Sequence, residues 1–211
     1  MSTTHVVAPG EHLSGIAEKF GFRDFHTVWD HPSNAALKKQ RVNPHVLHPG
    51  DSVFIPDKTP RNDPAPTDQK HQYRLDSTDL KLRIALRDFD NQPMTGMACV
   101  LVVAGRTFNL KSDGDGIVQT PIPKSATDGV LRLPELDVEH ALKIGFLEPL
   151  DEDAGWHARL INLGYYDGQV EDADSDQIRS AVEEFQCDNQ LTINGELDGA
   201  TRAKLKEIHG V

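Results

Sequence analysis

The apolar residues of this chain repeat at helical spacing near the amino terminus, with a period of two through the middle, and at helical spacing again at the end. A helical pattern does not sit as a strand, because a helix brings residues three and four apart onto one face whereas a strand alternates faces at every residue. Two changes of period therefore divide the 211 residues, and with 37% apolar residues there is enough material for two or three small cores without cross-links. At the first change, residues 57–72 read DKTPRNDPAPTDQKHQ, with three prolines, many charges and no apolar run. That composition predicts an extended linker over 58–72. The expected units are 1–57, 73–147 and 148–211, an α+β multidomain chain.

In the first unit His5-Val6-Val7 is a short apolar run broken by the turn pair Pro9-Gly10. Leu13, Ile16, Ala17 and Phe20 then repeat at helical spacing up to Gly21, a helix stop. Phe25, Val28 and Trp29 share another helical face, Ser33 to Lys39 continue after Pro32, and Ser52 to Ile55 close the unit as a strand ended by Pro56. Two strands flanking two helices make a βααβ module.

The phrases Gly10-Glu11-His12-Leu13, Gly15-Ile16-Ala17-Glu18-Lys19-Phe20-Gly21 and Asn43-Pro44-His45-Val46-Leu47-His48-Pro49-Gly50-Asp51, followed by Phe54-Ile55-Pro56, resemble the LysM family. The chain departs from that family in a longer central stretch, WDHPSNAALKKQR, and in Glu11-His12, where the family usually writes Asp-Thr. The resemblance implies a shallow groove for peptidoglycan or another N-acetylglucosamine-containing glycan. Its lips would be Gly10, Glu11, His12 and Leu13 on one side and Asn43, Pro44, His45, Val46 and Leu47 on the other. Six histidines crowd this unit, and His12 and His45 fall on the two lips. They can be read as sugar or protein contacts, or as ordinary solvated histidines.

From Tyr73 to Ile144 the alternation Leu80, Leu82, Ile84, Leu86 and then Ala98, Val100, Val102 predicts strands. Further short strands are expected at Arg106 to Leu110, Gly116 to Thr120, Gly129 to Leu133 and Ala141 to Phe146, with Pro121, Pro123 and Asp128-Gly129 as separators. This rhythm predicts a small β-sandwich. The phrase Asp90-Asn91-Gln92-Pro93-Met94-Thr95-Gly96 with the later Asp113-Gly114-Asp115-Gly116 turn resembles transthyretin-like or carboxypeptidase-regulatory sandwiches. Asp113 and Asp115 read as turn residues rather than calcium ligands, since Asp-Gly supplies the required backbone without a metal.

The third unit returns to three helical faces: Trp156, Leu160 and Leu163; Ile178, Ala181, Val182 and Phe185; and Ala200, Ala203, Leu205 and Ile208. Asp176 and Asp198 are the expected amino-terminal caps of the second and third helices. The phrases Ala158-Arg159-Leu160-Ile161-Asn162-Leu163-Gly164-Tyr165, Arg179-Ser180-Ala181-Val182-Glu183-Glu184-Phe185-Gln186 and Asn194-Gly195-Glu196-Leu197-Asp198-Gly199-Ala200-Thr201 resemble the three-helix peptidoglycan-binding domain found beside wall hydrolases. Where that family has a glycine-bearing loop, this chain carries Glu171, Asp172, Asp174 and Asp176, an acidic loop that could face a protein partner. Asp172, Asp174, Asp176 and Glu183 match the acidic positions of a calcium loop, but Gln177 stands where its sharp turn needs glycine.

The net charge of −11 is concentrated in the third unit. Residues 1–57 hold five basic and six acidic groups, residues 58–147 twelve of each, and residues 148–211 five and fifteen, giving −1, 0 and −10. Such a surface disfavours nucleic acid and anionic lipid. Two cysteines, Cys99 and Cys187, lie far apart and are expected as small core residues of a chain kept reduced. No zinc-ligand helix motif, nucleophile elbow or phosphate-binding glycine loop occurs, so no catalytic residue, cofactor or metal is expected. The segment MSTTHVVAPGEHL carries no leader pattern and no run approaches the ~18 apolar residues of a membrane span. A cytoplasmic chain is expected, with periplasmic exposure only by unconventional export.

The order of modules resembles accessory proteins of type VI secretion and related contractile injection systems. That resemblance implies a non-catalytic, peptidoglycan-binding accessory protein. The alternative is a cytoplasmic adaptor or chaperone that holds a secreted effector or spike component.

Overall fold

The computed structural model describes residues 2–59, 67–70, 80–168 and 174–210. Most of the expected linker, the onset of strands at Tyr73, and Glu171 and Asp172 of the acidic loop lie outside these residues. Among the described residues the fold is mixed, with six α-helices, several small sheets and three separate apolar cores.

The first core forms between a two-stranded sheet and three helices. Strands β1 (Thr3–Val6) and β2 (Ser52–Ile55) pair antiparallel, with Thr3 opposite Ile55 and Val6 opposite Ser52. Helix α1 (Leu13–Lys19) turns Leu13, Ile16 and Ala17 inward, and Gly21 at φ +75° ends it as expected. The segment after it is more broken than its periodicity predicts: α2 (His26–Trp29), a 3₁₀ turn (Pro32–Asn34) and α3 (Ala35–Gln40). Pro32 has no N–H to continue α2, so a new helical start is needed there. Asn34, 2% exposed, ties this insert to the sheet by donating from Nδ2 to the carbonyls of Val28 and Phe54, both at 2.8 Å, and accepting from Phe54 N.

The second core lies between two sheets. One contains β3 (Leu80–Ala85) and β6 (Ile117–Ile122); the other has the order β5-β4-β7-β8, with β4 (Ala98–Val103), β5 (Arg106–Lys111), β7 (Asp128–Leu133) and β8 (Val138–Lys143). Cys99, Leu101 and Val103 alternate inward from β4 and meet Val118 and Ile122 of β6 in one cluster. Pro121 does not separate strands as the sequence suggests; it sits inside β6 opposite Lys81. Among the described residues the sheet is two strands wide, so its missing N–H falls on an edge that needs no partner. The last strand begins earlier than expected, at Val138, because Asp137 at φ 55° closes a tight turn. Gly145 and Phe146 therefore leave the sheet instead of extending it, while Ile144 still donates to the Thr127 carbonyl at 2.9 Å.

The third core packs α4 (Asp153–Asn162), α5 (Ser175–Asp188) and α6 (Gly199–His209) around Leu160, Ala181, Val182, Phe185 and Leu205. Asp198 caps α6, accepting from Thr201 N at 2.8 Å. The cap of α5 is Asp174 rather than Asp176, which lies in the first turn where its charge still favours the helix dipole. Ala200 and Ala203 are exposed and Thr201 takes the inward place expected of them. Cys99 is buried as expected but Cys187 is exposed, because Val182, Phe185 and Gln186 hold the inner face of α5.

Candidate functional site

The two expected lips meet. Leu13 N donates to the Pro44 carbonyl at 3.2 Å, so the turn at 10–13 and the loop at 43–47 form one continuous surface. Not every expected residue faces it: Leu13, Val46 and Leu47 are buried in or against the first core. Gly10, Glu11, Asn43, Pro44 and His45 are half-exposed, and His12 is buried at 4%.

Glu11 is committed to the lip itself. Burial opposes its ionisation, but the Ala8 N–H, His5 and Lys19 hydrogen-bond its carboxylate and hold its pKa down to about 2. Asn43 closes the opposite loop by accepting from His45 N at 2.9 Å. His45 sits between Phe25, 5.0 Å away by ring centroids, and His12 at 5.9 Å. Burial first, and then the neighbouring imidazoles of His12 and His26, which disfavour a second positive ring, push its pKa down to about 4. A cleft of about 310 Å³ opens beside it, between Phe25 and His26 on one wall and Leu80 and Lys81 on the other.

His12 has two partners that determine its tautomer. Its Nδ1 caps α1 by accepting from Gly15 N at 3.3 Å, so the ring proton must sit on Nε2, which then donates to the Lys124 carbonyl at 3.1 Å. The ring is neutral in this arrangement, and burial lowers its pKa in keeping with that. One imidazole thus starts a helix of the first module and contacts the second.

Other parts of the chain lie over these lips. Phe146 stacks against Gly10 so closely that a Cβ there would stand 2.7 Å from its Cζ, and a Cβ on Gly145 would stand 2.6 Å from the Gly10 oxygen. Lys124 Nζ donates to the Arg23 carbonyl at 2.8 Å. His48 Nδ1 meets Glu148 at 2.8 Å.

Arg41, whose side chain is 2% exposed, reaches Asp51 of its own module at 3.0 Å and Glu152 and Asp151 of the third at 3.0 and 3.3 Å. Burial works against its charge, but the hydrogen bonds to Asp51 and Glu152 outweigh it and leave the guanidinium more basic than usual. The acidic segment it meets is positioned from behind by Arg159, which donates to the Glu148 and Gly155 carbonyls at 2.9 and 2.6 Å. Burial brings the Arg159 pKa down to about 10. Neither arginine is singled out by sequence pattern; a charged residue inside an otherwise apolar helical face is the one signal, and it is present only for Arg159.

In the helical bundle, the fully buried Gln186 joins α5 to the loop before α6. Its Nε2 shares two hydrogens among three acceptors, Asn194 Oδ1, Glu196 O and Thr201 Oγ1 at 2.8, 2.9 and 3.0 Å, and its Oε1 accepts from the N–H groups of Asn194 and Gly195. Of the acidic loop, Asp174 and Asp176 serve the start of α5, and Glu183 pairs with Arg179 at 3.1 Å. Among the described residues no group of three or more His, Cys, Asp or Glu side chains is placed to hold a metal ion, and no helix is long and apolar enough to cross a membrane.

A family model for a peptidoglycan binding domain matches residues 157–205, from within α4 to within α6. No curated protein and no solved structure matches the chain.

Proposed function

We propose that the chain is a non-catalytic wall-binding protein that engages peptidoglycan through its carboxyl-terminal bundle. The observation that carries this reading is the family match over 157–205, which falls on the helices that share the third core and on the Gln186 and Asp198 hydrogen bonds that shape the loop before α6. The amino-terminal lips are a second glycan contact on this reading, supported by the LysM-like phrases and by the joining of the two loops through Leu13 and Pro44. Service to a type VI or other contractile injection system belongs to the same proposal and rests on the order of modules.

A second reading, an adaptor for a secreted effector or spike protein, is favoured by one specific observation: the lips that would take glycan are packed against the chain's own later domains. Co-sedimentation with intact peptidoglycan sacculi separates the two. Pelleting of the full chain, with soluble muropeptides shifting amide signals of α4 to α6, supports wall binding; a chain that stays in the supernatant at every sacculus concentration removes it and leaves the adaptor.

A further inference from the structure

We infer that the amino-terminal groove is held closed by the chain itself, with residues 144–148 and the Lys124 carbonyl in the place a ligand would take, and that access to it requires the second and third domains to move away. The ligand part of this inference rests on the glycan reading of the lips given above; the closure stands on geometry alone.

Three independent contacts converge on the lips. Gly145, at φ +87°, lies so close that any side chain there would strike the Gly10 oxygen, and Phe146 covers Gly10 itself. Both nitrogens of His12 are engaged, Nδ1 by Gly15 N and Nε2 by the Lys124 carbonyl, so the more deeply buried of the two lip histidines has nothing left to offer a sugar hydroxyl. Beside them, Arg41 with Asp151 and Glu152, and His48 with Glu148, tie the first module to the start of the third.

The same contacts are built to open. The Asp151 and Glu152 side chains are 66% and 32% exposed, and Phe146 remains 44% exposed while lying on Gly10. Ion pairs whose carboxylates reach solvent, although Arg41 itself is covered, and a single half-exposed ring hold domains weakly, and interfaces of that kind permit relative movement. Arg41 keeps Asp51 as its partner within the first module when the others leave, so opening strands no buried charge. Glycan at the lips and the domain contact therefore exclude each other, and each weakens the other by the same factor.

The test is the full chain against a triple variant, Phe146→Ala with Glu148→Gln and Glu152→Gln, with unchanged circular dichroism and Trp29 fluorescence as the folding control. Diethyl pyrocarbonate, which acylates a free imidazole nitrogen, is followed at His12 by peptide mass spectrometry, and binding of an N-acetylglucosamine hexamer is titrated by amide shifts. The expected result is acylation of His12 faster by about tenfold in the variant, and hexamer affinity higher by a similar factor with shifts at Gly10–Leu13 and Asn43–His45. Equal His12 reactivity in both proteins overturns the closure. Faster acylation without hexamer binding in the variant overturns the ligand assignment and with it the exclusion. Neither outcome touches sacculus binding by α4 to α6, so failure of the wall-binding proposal would be seen separately.

Discussion

Replacing Gln186 by leucine should unfold the helical bundle at markedly lower denaturant while leaving the first module unchanged. Leucine fills nearly the same volume, so the perturbation is the loss of polar contacts and not a cavity. The amide of Gln186 has two hydrogens and two lone-pair positions, all engaged with Asn194, Gly195, Glu196 and Thr201. At about 1 kcal/mol net for each, the loss is about 4 kcal/mol, and apolar burial of the new side chain returns about 1 kcal/mol, leaving about 3 kcal/mol. A small domain with a urea dependence near 1 kcal/mol per molar should then lose about 3 M in its unfolding midpoint. The chain's two tryptophans report on different cores, Trp29 on the first and Trp156 on the third, so a Trp29→Phe background isolates the relevant transition. Gln186→Glu is the companion variant: it keeps the shape, loses both donors and adds a buried charge, and should be worse than leucine. A loss under about 1 kcal/mol for leucine, or better tolerance of glutamate than leucine, would refute the reasoning.

Arg41→Met should cost the first module about 3 kcal/mol by stranding Asp51, while Glu152→Gln should cost under about 1 kcal/mol because its carboxylate is wet; equal losses in urea titrations of Trp29 fluorescence would contradict this. Gly155→Ala should destabilise the bundle although alanine favours helices by about 1 kcal/mol, because its Cβ would stand 1.8 Å from the Pro149 oxygen; a raised melting temperature would show that the 148–152 turn yields freely. His45 and His209 have folded pKa values of about 4, below the ordinary 6.5, and His12 is lowered as well. The unfolded chain therefore binds more protons below pH 6.5, so the stability these neutral rings contribute is fully present above 6.5 and is lost as pH falls toward 4. Urea midpoints of both tryptophan signals should fall between pH 7 and pH 5, and a rise over that interval would show that the rings are not held neutral.

The elements were readable where one physical rule acts locally. Leu13, Ile16 and Ala17 share a helical face, Cys99, Leu101 and Val103 alternate on a strand, and Asp198 precedes a helix with nothing else to cap it. Where two residues satisfy the same rule, the boundary slips, as with Asp176, expected as the cap of α5, and Asp174, which takes that place two residues earlier. The burial of polar side chains was not readable. Asn34, Arg41 and Gln186 look like surface residues in the sequence, and their partners are set by packing between segments, in the case of Arg41 and Glu152 more than a hundred positions apart. Glu148, Asp151 and Glu152 were counted in a solvated acidic surface for the same reason, whereas three of their contacts are to the first module. The turn at 10–13 and the loop at 43–47 stand out by phrase, but whether they face water depends on Lys124, Gly145 and Phe146, and no local pattern announces those contacts.

Arg41 also sets an order of events as the chain emerges from the ribosome. Asp51 follows it by ten residues and can neutralise it as soon as the first module closes, with Thr3 finding Ile55. Asp151 and Glu152 are not yet synthesised at that point, so the nascent module has three of the five Arg41 hydrogen bonds unmade and its Gly10 turn uncovered. The first module must therefore stand on its own through the synthesis of roughly a hundred further residues, and the helical domain, folding later, completes the surface of the first.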